Sequence, residues 1–185
     1  MCNINICYTE GDILNSLFDS VYKIMVDSFP MEEIRSYEGQ KELLSREDYY
    51  IETYEQEGQL LGICAYYIFD DFLYIENLAC KPSARGLGIG TKLVQAILKE
   101  ANGRQVILEV EPPTDEITKR RIRFYERLGF TFNPYEHFQA PLNPTTGMVE
   151  LKIMSSLGAL TEEQQQAYRR VLNEKVYLVD PNFMI

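Results

Sequence analysis

Hydrophobic and polar positions follow two different periods along this chain. Apolar residues three or four positions apart are typical of helices, whereas short apolar runs or strict alternation are typical of strands. In the first half these patterns predict a strand at 3–8, a helix at 12–29, one or two short helices at 32–44, and strands at 49–55, 60–69 and 72–80. In the second half they predict a helix at 91–101, a strand at 105–111, a helix at 117–128, strands at 130–132 and 148–154, and a helix at 161–174. The predicted fold class is therefore mixed α/β, with three antiparallel strands before the first strand–helix connection.

The last third of the chain contains a long irregular segment between its final two strands. This segment carries three prolines, and a loop of that length in a compact domain is often functional. The helix after the final strand is polar, and its apolar residues fall on one side: Ala167, Tyr168, Val171 and Leu172. We expect a principal domain at 1–155 and an extension at 156–185 that packs on the domain or on a partner, including a second copy of the chain in a homodimer.

Composition narrows the class of protein without identifying it. The 185 residues are 45% hydrophobic and 25% charged, which is ordinary for a globular domain. The formal net charge of −10 argues against nucleic acid as a partner and favours a cationic partner such as an amine, although acidity can also serve solubility alone. No apolar run is long enough to span a membrane and no signal peptide is recognised, so we expect a cytoplasmic protein.

Cysteine and histidine are too few and too scattered to predict a metal site. The four cysteines form no C-x-x-C pair and His137 is the single histidine, so we expect no metal. Cys64 and Cys80 lie inside apolar strand patterns, which predicts buried, reduced thiols. His137 lies in the irregular segment, where a pocket-lining role and a surface or structural role both stay open.

The strongest chemical signal is a glycine-rich turn, Arg85-Gly86-Leu87-Gly88-Ile89-Gly90, between the strand at 72–80 and the helix at 91–101. The first N–H groups of a helix have no partner within the helix and carry partial positive charge. Glycines remove the side chains that would keep a phosphate away from these donors. The turn therefore predicts a site for a phosphate-bearing molecule, and its glycines alone leave a dinucleotide, a nucleotide and coenzyme A open.

Two motifs in a fixed order indicate a family. Asn77-Leu78-Ala79-Cys80-Lys81-Pro82 followed by Arg85-x-x-Gly88-x-Gly90 resembles motif A of the GNAT family of N-acetyltransferases. Phe124-Tyr125-Glu126-Arg127-Leu128-Gly129-Phe130 resembles the second signature of that family, a tyrosine before a stretch that ends in Leu-Gly-Phe. One position departs from the family, because Thr118 stands where an asparagine is frequent. The resemblance covers the architecture from about residue 3 to residue 155.

The resemblance implies the GNAT acyl-CoA N-acyltransferase fold, a mixed and mostly antiparallel sheet whose central parallel strands splay apart and hold acyl-CoA in the gap. It implies acetyl-CoA as the co-substrate, with the glycine turn on its pyrophosphate and the end of the preceding strand paired with its pantetheine amides. A bulge at that strand end would free an N–H for the thioester carbonyl. The residues implied in cofactor binding are Leu78, Ala79, Cys80, Arg85, Gly86, Leu87, Gly88, Ile89, Gly90, Thr91 and Thr118.

Two glutamates are the predicted bases for the acceptor amine. Alternation along 106–111 places Glu109 and Glu111 on one face of a strand, where either could take a proton directly or through water. Glu109 also matches the base of some relatives that resemble ribosomal-protein N-terminal acetyltransferases. The alternative is an ion pair with one of three arginines: Arg121, Arg123 or Arg127. Glu76, on the neighbouring strand, is a weaker third candidate.

Tyr125 is implied by its motif position to face the sulfur and to assist departure of the thiolate, with an ordinary core tyrosine as the alternative. Together these residues predict an acetyl-CoA-dependent N-acetyltransferase, in which the amine attacks the thioester directly in a ternary complex. The acceptor would be a primary amine of a small molecule or peptide. Two other functions stay open: a GNAT-fold regulatory or sensor domain that binds CoA without catalysis, and a nucleotide-binding module.

Overall fold

The computed structural model describes two ranges of the chain, residues 11–143 and 145–184. The strand predicted at 3–8 lies outside these ranges, as do Cys2 and Cys7. Within them, no helix combines the length and the apolar character that a membrane span requires.

The first compact unit comprises Met1–Val106. Its helices and strands are α1 (Gly11–Ser28), α2 (Tyr37–Glu42), β1 (Tyr49–Gln56), β2 (Gln59–Ile68), β3 (Phe72–Cys80) and α3 (Ile89–Ala101). Short 3-10 turns occupy Met31–Glu33, Leu43–Ser45 and Pro82–Ala84. The elements predicted from periodicity between residues 11 and 106 are confirmed, with bounds that differ by about two residues.

Strand β2 is central to this unit because it pairs along both edges. It is antiparallel to β1 and to β3, and six consecutive residues of it, Gly62–Tyr67, are buried. A strand covered on both faces is buried at consecutive rather than alternate positions. The helices that pack on β2 and β3 contribute apolar faces: Phe18, Val21, Ile24 and Met25 from α1, and Ile89, Leu93, Val94 and Ile97 from α3. Each such side chain contributes about 1.5–3 kcal/mol when it is fully buried.

A register shift between β2 and β3 lies at Glu76. The flanking pairs are Ala65–Asn77 and Tyr66–Ile75, so Glu76 is an extra residue on β3. Residues Leu78–Cys80 keep a regular register with β2. The edge of β3 that pairs with β2 therefore has a bulge at Glu76, and the bulge expected at Leu78–Cys80 stays a prediction.

The second compact unit comprises Ile107–Ile185, and strand β4 (Gln105–Val110) runs into it. Its other elements are α4 (Glu116–Glu126), β5 (Thr131–Phe132), β6 (His137–Gln139), β7 (Val149–Ser155) and α5 (Glu162–Val171), which continues into a π-helical turn at Leu172–Val176. Strand β7 is antiparallel to β4, β5 and β6. The pairings within both units are antiparallel and helices accompany them, which confirms the mixed α/β class with mostly antiparallel strands. The division of the chain at 155 stays a prediction.

Strand β6 was not predicted, because the segment that contains it reads as an irregular loop. It is only three residues long, too short for periodicity to identify a strand. Its pairing with β7 places His137 opposite Leu151 and buries the histidine completely. The surface position considered for His137 is therefore wrong, and the histidine is a buried strand residue.

The four apolar residues of the last helix differ in burial. Leu172 is completely buried, Tyr168 and Val171 are half-buried, and Ala167 is exposed. A second set of buried positions recurs every four residues and is polar: Gln165, Arg169, Asn173 and Tyr177. Positions four apart share one face of a helix, so the segment that starts with α5 buries a polar stripe.

Backbone carbonyl groups explain why this polar stripe is buried. Gln165 Nε2 and Arg169 Nη1 each donate to the Glu136 carbonyl at 3.3 Å. Asn173 Nδ2 donates to the Pro181 carbonyl at 3.0 Å. Because each of these three side chains has at least one backbone partner, part of the cost of desolvating the stripe is offset. Hydropathy cannot predict this arrangement, since the partners come from other segments of the chain.

Candidate functional site

The glycine turn leads directly into α3 in the first unit. Gly86 has a φ of 84° and Gly88 a φ of 74°, in the left-handed region that costs other residues about 1–2 kcal/mol. Gly88 caps α3, so the helix begins at Ile89, before the predicted start at Thr91. An added β-carbon at Gly86 or Gly88 would meet no atom within 4 Å, so the backbone conformation, not lack of space, requires glycine here.

The first turn of α3 presents N–H groups that have no partner within the helix. The first helical bond runs from the Lys92 N–H to the Gly88 carbonyl, at 3.1 Å. The N–H groups of Ile89, Gly90 and Thr91 precede that bond, and groups in this position attract anions. The start of α3 is therefore a suitable place for a phosphate group.

The turn itself is open to solvent. Its residues Arg85–Gly88 are exposed, whereas Ile89 is buried and Gly90 and Thr91 are half-buried. An exposed arginine at the head of a set of backbone donors can add a charge-assisted hydrogen bond to a phosphate. The residues predicted to hold the pyrophosphate of CoA thus fit that group in conformation, accessibility and charge.

Close packing beneath the turn depends on Gly62 of β2. An added β-carbon here would lie 2.8 Å from Ile89 Cγ2, 3.2 Å from Cys80 Sγ and 3.2 Å from Leu93 Cδ1. Carbon atoms prefer separations of about 3.5–4.0 Å, so glycine is what lets the first turns of α3 approach the strands this closely. Sequence analysis did not single out Gly62, although a glycine inside a strand pattern is a signal of close backbone approach.

Two free thiols lie at or near the strand end that is predicted to bind the pantetheine. Cys64 is buried and Cys80 is half-buried at the end of Leu78–Cys80. Burial raises the pKa of both thiols, and for Cys80 the charge of Arg85 and a hydrogen bond from the Gly90 backbone act in the opposite direction. Both cysteines are therefore neutral thiols at neutral pH, as expected of reduced and unreactive side chains.

In the second unit, Thr118 takes part in the N-terminal cap of α4. Asp115 Oδ1 accepts hydrogen bonds from the N–H groups of Ile117 and Thr118, each at 2.8 Å, and the Asp115 N–H donates to Thr118 Oγ1 at 3.2 Å. The bond from the Thr118 backbone is the main reason why the pKa of Asp115 is lowered. This capping box fixes the first turn of the helix that carries Tyr125. The contact of Thr118 with the cofactor stays a prediction.

Tyr125 lies on the buried face of α4 and is 7% exposed. Its ring packs edge-on against Phe124 and Phe130, with centroid distances of 5.0 and 5.8 Å. Its carbonyl accepts hydrogen bonds from the N–H groups of Leu128 and Phe130 at 2.9 and 3.1 Å. The second motif thus has a local reason, because its Leu-Gly-Phe end folds back onto the tyrosine. The role of the Tyr125 hydroxyl in catalysis stays a prediction.

Two of the three candidate bases are in ion pairs with arginine. Strand β4 ends at Val110, so Glu111 lies beyond it, where its Oε2 contacts Arg121 Nη1. This is the ion pair that sequence analysis held as the alternative. Glu76 Oε1 lies 2.5 Å from Arg35 Nη1, and the two side chains are 4% and 10% exposed. A buried carboxylate that neutralises a buried arginine is poorly suited to accept a proton, because protonation would remove the negative charge that balances the arginine.

The third candidate, Glu109, lies in a buried cluster with His137 and Tyr177. Its Oε1 contacts His137 Nε2 and accepts a hydrogen bond from the Tyr177 hydroxyl. The side chains of Glu109 and His137 are 6% and 1% exposed, and Tyr177 is 6% exposed. Since an ionised carboxylate only accepts hydrogen bonds, His137 Nε2 must carry a hydrogen in this contact. We call Glu109, His137 and Tyr177 the carboxylate cluster.

Three elements of the second unit form the carboxylate cluster. Strands β4 and β6 supply Glu109 and His137, and both strands pair with β7. Tyr177 follows the π-helical turn Leu172–Val176, in which the Tyr177 N–H bonds to the Leu172 carbonyl at 2.9 Å. Sequence analysis missed Tyr177, because no local pattern relates residues 68 positions apart.

Arg169 adds a positive charge beside the carboxylate cluster. It is buried, and its Nη2 donates to the Met184 carbonyl. Burial lowers the pKa of Arg169, whereas the nearby Tyr177, Glu136 and Glu109 act in the opposite direction. Within the part of the chain that the structure describes, no group of three or more His, Cys, Asp or Glu side chains is arranged to hold a metal ion.

Comparison with known proteins agrees with the two motifs. Residues 16–130 match the model of the acetyltransferase (GNAT) family. A proposed acetyltransferase of Bacillus subtilis (strain 168), YjbC, is 38% identical over 112 residues, which are 59% of this chain and 55% of YjbC. The chain therefore spans about half the length of that relative.

Solved structures share the fold. A proposed acetyltransferase of the GNAT family from Bacteroides thetaiotaomicron superimposes with a TM-score of 0.82 at 29% identity, covering 94% of this chain and 97% of that one. An aminoglycoside 6'-N-acetyltransferase complexed with coenzyme A has a TM-score of 0.56 at 16% identity, covering 76% of this chain and 89% of that one. The family model matches more than half of the sequence, and the chain belongs to the acetyltransferase (GNAT) family.

Proposed function

We propose that the chain is an acetyl-CoA-dependent N-acetyltransferase that acetylates a primary amine of a small molecule or peptide. The observation that supports this most is the phosphate-binding arrangement at the start of α3, within a chain of an acetyltransferase family. The left-handed Gly86 and Gly88, the N–H groups of the first helical turn and the exposed Arg85 fit the pyrophosphate of CoA.

Both backbone groups and side chains would contact the cofactor. Acetyl-CoA would supply the acetyl thioester, and the free thiol would leave after transfer. The N–H groups of Gly86–Thr91 and the Arg85 side chain would hold the pyrophosphate, and the backbone of Leu78–Cys80 would pair with the pantetheine amides. Thr118 is a further candidate for a cofactor contact.

The acceptor amine must lose a proton before or during its attack. A free primary amine has a pKa of about 10.4 and is protonated at neutral pH, so a base is required. Glu109 and Glu111 stay the candidates. We favour Glu109, because two donors hold its carboxylate in one place, whereas the Glu111 side chain is 35% exposed and engaged by Arg121.

Tyr125 would assist the departing sulfur by hydrogen bonding. A tyrosine hydroxyl has a pKa of about 10 and a thiol a pKa of about 8.5, so complete proton transfer from tyrosine to thiolate is unfavourable by about 2 kcal/mol. Tyr125 would therefore donate a hydrogen bond to the sulfur, or release its proton only as the amine gives one up.

A thiol-release assay with acetyl-CoA tests the proposal. The panel of acceptors would contain polyamines, aminoglycosides, amino acids and peptides with free N-termini, and thiol release should depend on at least one of them. Calorimetric titration with CoA, NAD and ATP runs in parallel, and we expect binding of CoA alone. CoA binding without turnover on any amine would instead support the regulatory domain, and absence of CoA binding would contradict both functions. E109Q should slow turnover more than E111Q if Glu109 is the base.

A further inference from the structure

We propose that His137 and Tyr177 are positioning residues for the Glu109 carboxylate, which makes the segment after α5 a contributor to the acetyl-transfer chemistry. The inference rests on the proposed function, in which Glu109 accepts the proton of the acceptor amine. It assigns a role to two residues that neither family motif contains, and to a part of the chain beyond residues 16–130 that match the family.

The geometry restricts the carboxylate in a specific way. Both donors, His137 Nε2 and the Tyr177 hydroxyl, converge on the same oxygen, Oε1 of Glu109. Burial by itself favours the protonated form of a carboxylate, and hydrogen bonds to the charged form favour ionisation. Two such bonds therefore oppose the effect of burial and favour the form that a base requires.

The backbone around Tyr177 is irregular on both sides. The π-helical turn before it is a rare conformation that is often found at functional sites. The residue after it, Leu178, has a φ of 57°, a left-handed conformation that is unfavourable for leucine. Its side chain is exposed, so burial does not compensate for this conformation. Strained backbone of this kind persists where the surrounding structure holds it in place, and functional sites are enriched in it. The irregular backbone here places the buried Tyr177 hydroxyl against Glu109.

The surroundings of the carboxylate define what each substitution changes. From β6 comes His137, from α5 comes Arg169, and from the segment before β6 comes Glu136, which is itself near Arg169. Strand β7 places the apolar Ile153 opposite Glu109. Tyr177→Phe removes one oxygen atom and leaves these charged and titratable groups in place, so its effect reports the loss of the Tyr177 hydroxyl.

Nuclear magnetic resonance tests the contact independently of any activity. His137 is the single histidine of the chain, so a tag-free sample labelled with 15N in histidine reports this residue alone. We expect Nε2 to carry a hydrogen, because that nitrogen faces the carboxylate. A tautomer with its hydrogen on Nδ1 would overturn the proposed arrangement.

The pH dependence of kcat/KM then tests the positioning role. With an amine from the acceptor screen, Y177F and H137L should move the acidic limb of the profile to higher pH by about one unit, because a carboxylate that has lost a charge-assisted hydrogen bond is protonated more easily. H137Q retains an N–H donor and should keep the limb closer to that of the wild type. Y50F is the matched control, since the Tyr50 hydroxyl bonds only locally, to the Glu47 carbonyl at 2.7 Å, and its profile should be unchanged.

The possible outcomes separate this inference from the proposed function. A rate that falls equally at every pH in Y177F and H137L would mean that the two residues only support the fold, and the positioning role would be rejected. An E109Q variant as active as the wild type would reject Glu109 as the base, and the inference with it, while leaving the acetyltransferase proposal intact. If the wild type acetylated no amine, the proposed function and the catalytic part of this inference would both fail, and the tautomer would still report the structural contact.

Discussion

Replacing Gly62 with alanine tests whether the close approach of α3 to β2 positions the predicted phosphate donors. The new β-carbon would stand 2.8 Å from Ile89 Cγ2, which is about 0.7 Å less than the shortest favourable carbon–carbon separation of about 3.5 Å. Cγ2 is attached directly to the Ile89 β-carbon, and a β-branched residue in a helix has one strongly preferred rotamer. Ile89 cannot turn aside without strain, so relief requires α3 to move away from β2.

The expected magnitude follows from this overlap. Overpacking by one methyl group in a well-packed core typically costs about 1–3 kcal/mol of the free energy of unfolding. We expect the upper half of that range, because Cys80 Sγ and Leu93 Cδ1, each 3.2 Å from the new atom, must also give way. Movement of α3 would displace the N–H groups of Ile89–Thr91 relative to Arg85. If that displacement removes about 1.4 kcal/mol of binding free energy, CoA binds tenfold more weakly.

Urea unfolding and calorimetric titration with CoA would measure the two effects separately. G147A is the matched control, because a β-carbon at Gly147 would meet no atom within 4 Å. We expect G147A to behave as the wild type in both measurements. Wild-type stability together with wild-type CoA affinity in G62A would refute the reasoning about close approach. Lower stability with unchanged affinity would show that the position of α3 does not control phosphate binding.

Three further predictions concern single side chains. Tyr125→Phe should lower turnover while leaving CoA affinity nearly unchanged, and an unchanged rate would remove Tyr125 from the mechanism. Glu76→Gln removes the negative charge of a buried ion pair while Arg35 stays charged, so urea unfolding should show a loss of about 3–5 kcal/mol; a loss below about 1 kcal/mol would contradict a tight buried pair. Burial, with a smaller contribution from Glu100, raises the pKa of Glu52. The ionised carboxylate therefore destabilises the fold at neutral pH. This penalty disappears as the pH falls through the raised pKa of the folded state to the pKa of the unfolded state. E52Q should therefore melt at a higher temperature than the wild type near pH 7, with a difference that shrinks on acidification, and a difference independent of pH would show the reasoning to be mistaken.

The two motifs could be predicted from the sequence because their physical causes are local. Gly86 and Gly88 adopt left-handed conformations in the turn that precedes a helix, and these depend on neighbours within a few residues. The same holds for the second motif, where the Leu128 and Phe130 N–H groups bond to the Tyr125 carbonyl. Local bonding of this kind leaves a recognisable spacing of residue types, so the site for the cofactor could be proposed without a structure.

The acceptor side of the chemistry could not be predicted in the same way. Alternation along β4 indicated Glu109 and Glu111 equally, and the structure distinguishes them by contacts with residues far along the chain. His137 was assigned to a loop because a three-residue strand leaves no periodic signal. The buried polar stripe that starts in α5 was not predicted, because its burial depends on backbone carbonyls that hydropathy does not reveal.

The sequence by itself determined the family, the mixed α/β class, and a glycine turn at Arg85, Gly86 and Gly88 that is predicted to bind phosphate. These properties follow from short-range backbone preferences, which residue types encode directly. Only the tertiary structure decided that Glu76 and Glu111 are paired with arginines, and that Glu109 meets a histidine 28 residues and a tyrosine 68 residues away. The state of a carboxylate depends on its burial and on the donors around it, and both are set by segments that meet only when the chain has folded.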